Sequence, residues 1–100
     1  MSAARVPVRI ASSRAELAGH MAVRQRVFVE EQRFFETTDR DIWDENALHA
    51  VAVDEERGVV GAVRFYALDE AGLWKGDRLA VVAEARPLRV GARLVRFAVK

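Results

Sequence analysis

Residues 6–11 alternate apolar and polar side chains, with Val6, Val8 and Ile10 on one side, which is the period of a half-buried first strand. Ser13-x-x-Glu16 then forms a capping-box pattern ahead of Leu17, Ala18, Met21, Ala22, Phe28 and Val29 at helical spacing, so a helix is predicted from about residue 14 to about residue 30. Residues 34–46 carry no clean period. Phe34, Phe35 and Trp43 scatter among acids there, which reads as a loop with one short helical turn, placed as a lid or the wall of a cleft. Residues 47–54 are almost continuously apolar, as in a strand covered on both faces. A connection at 55–58, a strand at 59–68, a second turn at 69–72 and a strand at 73–82 complete an antiparallel meander. A last helix begins near Val90, with Leu94, Val95 and Ala98 on one face and Arg93, Arg96 and Lys100 elsewhere.

The join between the last strand and the last helix carries the chemistry. Arg78-Leu-Ala-Val81 runs through a basic turn, residues 86–92, into a helix opened by Val90-Gly91-Ala92. The first amides of a helix have no intrahelical partner and its dipole favours negative charge, so a turn of this kind suits a phosphate-bearing ligand.

Composition narrows the class. A chain of 100 residues that is 51% hydrophobic and 31% charged is a globular domain and not a disordered one, and a single domain over 1–100 is expected. It holds no apolar run of about 18 residues and no secretory leader pattern, which predicts a cytoplasmic protein with no membrane partner. The absence of cysteine removes disulfides, thiolate ligands and a cysteine nucleophile, and two isolated histidines, His20 and His49, are too few for an ordinary zinc site. No metal is expected. Ten acids against two basic residues in 30–56, and one acid against five basic residues in 84–100, suit a cleft with an anionic cofactor at one end and a cationic acceptor at the other; solvated faces on two elements are the plainer alternative. Nucleic-acid binding through the basic end is disfavoured by the acidic half and by the lack of interleaved aromatics.

The 78–94 stretch resembles the cofactor motif of the GNAT superfamily of N-acetyltransferases, in which R-L-A-V is followed by x-P-x-x-R-G-x-G-I-G-x-x-L. Arg78, Leu79, Ala80, Val81, Arg86, Val90, Gly91 and Leu94 match, while Ala83, Pro87 and Arg89 stand where Pro, Gly and the first motif Gly are usual. Upstream, Arg24-x-x-Val-Phe28-x-x-Glu31-Gln32, Asp39-x-Asp41-x-x-Asp44 and Gly61-x-Val-Arg64 are similar in order to one acetyltransferase branch. Together with Trp74-x-Gly76 they look especially like the acetyltransferases encoded beside nitrilases. The same spacing also occurs in acyl-homoserine lactone synthases, which share the fold.

The resemblance implies an α/β GNAT-type fold, a mixed, mostly antiparallel sheet with flanking helices in the order β-α-(loop/α)-β-β-β-α, and C-terminal strands beyond Lys100. It implies an acetyltransferase using acetyl-CoA and a small-molecule amine acceptor, with a homodimer left open. Leu79, Ala80 and Val81 would meet the pantetheine arm, with a bulge near them opening its slot, and Arg86, Arg89, Val90, Gly91 and Ala92 the pyrophosphate. Loss of the motif glycine at Arg89 removes freedom at positive φ and adds a side chain where backbone meets phosphate. Glu31, then Glu30, are the general-base candidates, and Arg24, Phe28, Asp41, Asp44 and Arg64 the acceptor-side residues. The charged members of that set fit acceptor recognition and an ion-pair brace equally well. His49 is expected as a hydrogen-bonded core histidine, and Trp74 and Tyr66 as packing residues. Two other readings stay open: synthesis of acyl-homoserine lactones from an acyl carrier and S-adenosylmethionine, and a non-catalytic module that senses coenzyme A or pairs with a protein.

Overall fold

The computed structural model describes residues 6–69 and 72–99. The middle of the expected 69–72 turn, and Lys100, lie outside them. Four strands, β1 (Val8–Ile10), β2 (Leu48–Asp54), β3 (Gly58–Ala67) and β4 (Trp74–Val81), pair antiparallel in the order β1-β2-β3-β4. The meander stands as predicted because each apolar run is bounded by a polar turn, and at the first turn Asp54 accepts from the amides of Glu56 and Arg57.

Helix α1 (Arg14–Arg24) and helix α2 (Val90–Ala98) cover opposite faces of the sheet. His49 and Arg64, paired across β2 and β3, lie on the α1 face, whereas Gly61 lies on the other, beneath Leu94 and Val90 of α2. A Cβ on Gly61 would sit 2.9 Å from both Leu94 and Val90 and 3.3 Å from Ala52, so the helix can approach β3 only over a glycine. Val90 and Leu94 are wholly buried by that approach.

Ser13 caps α1 by accepting from the Glu16 amide at 3.1 Å, as its pattern predicts. The buried face of the helix differs from the apolar stripe read in the sequence. Leu17 is 40% exposed, while Val23, Val27, His20 and Arg24 face inward. Two polar side chains displace the expected stripe because partners on the sheet and loop satisfy them inside. The helix also runs past Arg24 in a wider form. Residues Gln25–Glu31 are π-helical, the Gln32 amide donates to the Val27 carbonyl five residues back at 2.8 Å, and Arg33 ends the segment at φ 56°.

Within the predicted loop, Asp41 and Asp44 form a reciprocal capping box around a single 3₁₀ turn, Ile42–Glu45. Trp43 from that turn stacks on Tyr66 of β3, ring centroids 4.7 Å apart, which holds the loop against the sheet. Tyr66 is a packing residue as expected, whereas Trp74 is 54% exposed and only tilts toward Phe65.

Strand β4 carries one extra residue relative to β3: Asp77 pairs with Arg64 and Ala80 with Ala62, leaving Arg78 and Leu79 opposite Val63. Arg78 takes φ 53°, the left-handed value that a bulge of this type usually gives to glycine.

Candidate functional site

After Val81 the basic turn expected from the sequence has a definite internal structure. It makes a 3₁₀ segment, Ala83–Leu88, and one left-handed residue, Arg89 at φ 58° and ψ 32°, before the helix starts at Val90. The Arg89 amide donates to the Arg86 carbonyl and the Arg93 amide to the Arg89 carbonyl. The amides of Val90, Gly91 and Ala92 therefore occupy the first turn, and no side chain caps them.

These amides border a cleft of about 490 Å³ lined by Val27, Gln32, Leu79, Ala80, Val81, Arg86, Arg89, Gly91 and Ala92. All the expected cofactor residues line it except Val90, whose side chain is consumed by the core under Gly61. Val27 and Gln32 were not among the expected residues. Val27 lies in the π-helical stretch and Gln32 caps its end, and a change in helical pitch leaves no mark in composition.

Arg86 is anchored twice at the edge of this cleft. Its Nε donates to the Val81 carbonyl at 3.0 Å and its Nη2 to Glu31 at 2.7 Å. Glu31, the last residue of the π-helical segment, thus has an oxygen engaged by a guanidinium rather than standing free at an acceptor mouth. Glu30 is exposed.

On the α1 face a second constellation joins the loop, helix and sheet. Arg24, wholly buried, donates to Asp39 at 2.6 Å and to Asp44 at 2.7 Å. Arg64, 1% exposed, donates to Asp77 at 2.8 Å through both Nε and Nη2 and to Asp41 at 2.6 Å. Arg78 reaches back from the bulge to the Asp39 carbonyl and to Asp41, over the ring of Phe35. The expected residues Arg24, Asp41, Asp44 and Arg64 do come together, in the geometry of a brace: each carboxylate meets a guanidinium. Phe28 is elsewhere, partly buried against the core, its carbonyl accepting from the Phe34 amide. Asp39, Asp77 and Arg78 complete the brace. Asp77 was legible in principle, because the meander register sets it across from Arg64.

Residues 23–95 match the acetyltransferase (GNAT) domain family. This chain is a GNAT acetyltransferase domain. A comparison with curated proteins finds no match.

The matched region of this GNAT domain spans both constellations, from Arg24 to the first half of α2. Within it, burial opposes the charge of Arg64, yet the hydrogen bonds it donates to Asp77 and Asp41 and the negative charges of Asp77 and Asp44 outweigh it and raise its pKa. Asp44 is likewise held well below the usual carboxylate range, the hydrogen bonds from Arg24 and from the Asp41 amide overcoming desolvation. His20 lies beside them, donating from Nδ1 to the Ala50 carbonyl at 3.0 Å, which leaves its Nε2 facing His49 Nδ1 at 3.1 Å. Burial pushes His20 down to about 4 and lowers His49 as well. His49 is the hydrogen-bonded histidine predicted, half-buried rather than in the core.

Among the described residues there is no cluster of acids and histidines able to hold a metal ion, and no helix long and apolar enough to cross a membrane. The cleft fits a diphosphate-bearing thioester. Uncapped helix amides and two arginines meet at one end, and the apolar Leu79, Ala80, Val81 and Val27 line the rest.

Proposed function

We propose that this GNAT domain moves an acetyl group from acetyl-CoA to a primary amine of a small molecule or peptide by direct transfer. The observation that supports this reading best is the uncapped start of α2 beside an arginine-edged cleft that runs along a bulged β4. The diphosphate rests on the amides of Val90, Gly91 and Ala92, and the pantetheine arm follows Leu79, Ala80 and Val81. The bulge at Arg78 and Leu79 turns backbone amides out of the ladder, where one donates to the thioester carbonyl. The amine nitrogen, in its neutral form, bonds to the carbonyl carbon while the carbon–sulfur bond breaks and the thiolate leaves to take up a proton. Glu30 takes the proton released by the amine, since Glu31 is engaged by Arg86. The buried aspartates do not contact the acceptor in this reading. They hold residues 39–45 in place as its wall.

The test uses the full chain. Acetyl-CoA should raise its melting temperature, S-adenosylmethionine should not, and free thiol should be released in the presence of an amine panel, more slowly in E30Q. A melting temperature unmoved by acetyl-CoA at millimolar concentration would overturn the reading.

A further inference from the structure

His20 and His49 meet end to end, and the row of contacts through them ends on a backbone carbonyl at each side. His20 Nδ1 lies 3.0 Å from the Ala50 carbonyl, His20 Nε2 lies 3.1 Å from His49 Nδ1, and His49 Nε2 lies 3.1 Å from the Asp44 carbonyl in the 3₁₀ turn. A carbonyl oxygen only accepts, so each outer contact needs a hydrogen on the ring nitrogen, and the middle contact needs one between its two nitrogens. Three contacts call for three hydrogens. Two neutral imidazoles carry two, so the row is complete only when the pair holds one additional proton. Arg24 Nη1, 3.3 Å from His20 Nε2, is itself a donor and keeps that nitrogen an acceptor, which puts the charge on His49. The surrounding charges point to the same number. Three guanidiniums, Arg24, Arg64 and Arg78, pair with four carboxylates, Asp39, Asp41, Asp44 and Asp77, leaving one negative charge in excess. Of the charged side chains packed around the rings, α1 contributes Arg24, the loop Asp44, and β3 Arg64, the register partner of His49. Arg14 lines the hollow onto which His49 opens, and Arg9 of β1 is paired with Glu16.

We propose that the His20–His49 pair is a proton-operated latch on residues 39–45: the two rings hold one proton, carried by His49, and with it His49 fastens the Asp44 carbonyl to the sheet. Without that proton one contact in the row sets a lone pair against a lone pair. The Asp44 contact is the one that gives way, because His20 is wholly buried between α1 and β2, whereas His49 opens on a surface hollow of about 420 Å³ beside Arg14 and Leu17. Burial opposes charge on both rings, lowering His20 to about 4 and His49 below its ordinary 6.5, while the carbonyl and carboxylate of Asp44 pull the other way on His49. The one-proton state therefore fills a window below about pH 6.5 and above about pH 4. Acid tightens the loop inside this window even as it lowers the stability of the fold. The latch compares two folded states, in which His49 is the more basic when Asp44 touches it; global stability compares folded with unfolded chain, whose free rings bind protons more readily. The latch does not depend on the coenzyme reading.

The experiment follows the full chain by NMR from about pH 8 to about pH 4.5, reading the ring nitrogens of both histidines and the hydrogen-exchange protection factors of the Asp41, Trp43 and Asp44 amides, which bond inside the turn. Asp41 and Asp44 stay ionised across this range, since hydrogen bonds from Arg64 and Arg24 overcome desolvation and hold both below the usual carboxylate values. His49 should become an imidazolium while His20 stays neutral with its hydrogen on Nδ1, and the three protection factors should rise about tenfold as it does so. H49Q, whose amide nitrogen stands in for Nε2, donates to Asp44 at every pH and should show the high protection with no pH step. H49F should show the low protection with no step; where it fails to fold, the wild-type titration and H49Q still decide. A proton entering His20 first, both rings titrating together, or neither titrating above about pH 4.5 overturns the proposal at the proton count. Protection factors that stay level while His49 titrates, or a step that persists in H49Q, overturn it at the latch.

Discussion

Arg64 shows how a buried charge is tolerated. Its guanidinium sits over the Tyr66 ring at 5.1 Å and is shared between Asp77 on the strand beside it and Asp41 on the loop above. Removing it leaves the partly buried Asp77 without its guanidinium and Asp41 with Arg78 alone, so Arg64→Met should cost about 3 kcal/mol, read as a lower denaturant midpoint with an unchanged slope. Arg64→Lys should recover only part of this, since an ammonium cannot bond both carboxylates in a bidentate way. His20 is the complementary case, a titratable ring kept neutral. Its pKa falls from 6.5 to about 4 in the folded chain, so between these values the unfolded chain binds more protons and acidification favours unfolding. Stability should be at its full value above about pH 6.5 and should decline as the pH drops toward 4, by a contribution on the order of 3 kcal/mol. Urea titrations at half-unit pH steps will show the slope, and His20→Gln should flatten it. Of these roles the sequence disclosed a charged set including Arg24, Asp41, Asp44 and Arg64, but not which acid meets which base. Pairing depends on strand register and loop path, and the residues concerned are up to 39 positions apart.

At the scale of elements, the strands and their turns were legible because alternation and polar punctuation act locally. The 3₁₀ turn at Ile42–Glu45 was legible for the same reason, its two aspartates capping it three residues apart. The first helical stretch, α1 with its π-helical continuation, was legible in extent and not in orientation. Its outward Leu17 and inward Arg24 invert the usual sorting, and only the carboxylates on the loop make that inversion stable. The contact of α2 with β3 is the element-level feature most exposed to test. Gly61→Ala places a methyl group against Leu94, Val90 and Ala52, all held in the core, and should cost about 1–3 kcal/mol. Calorimetry on G61A and on a G61A/L94V pair separates overpacking from other causes, because trimming Leu94 should recover part of the loss if the methyl is what crowds it. The cleft depends on this packing, since the same first turn that presses Val90 on Gly61 carries the amides of Gly91 and Ala92.

Over the whole molecule, two sets of ion pairs divide the work. The buried one, around Arg24 and Arg64, locks the loop to the sheet. The other, Arg86 with Glu31, joins the turn between β4 and α2 to the end of the first helical stretch, and both partners are partly open to solvent. The sequence had separated an acidic half from a basic one and assigned them to two ends of a cleft. The fold brings Glu31 from the acidic half to Arg86 in the basic half, a meeting of residues 55 positions apart that charge runs cannot reveal. The π-helical stretch that delivers Glu31 has a consequence of its own. A backbone repeat of five residues in place of four makes everything downstream sensitive to spacing, so shortening Gln25–Glu31 by one residue would rotate the following side chains by about 100°. Val27 and Gln32 would then no longer share one wall, and the carboxylate would swing off its arginine. The stretch works as a spacer of fixed length, and among related chains its residue count should tolerate less drift than its spelling.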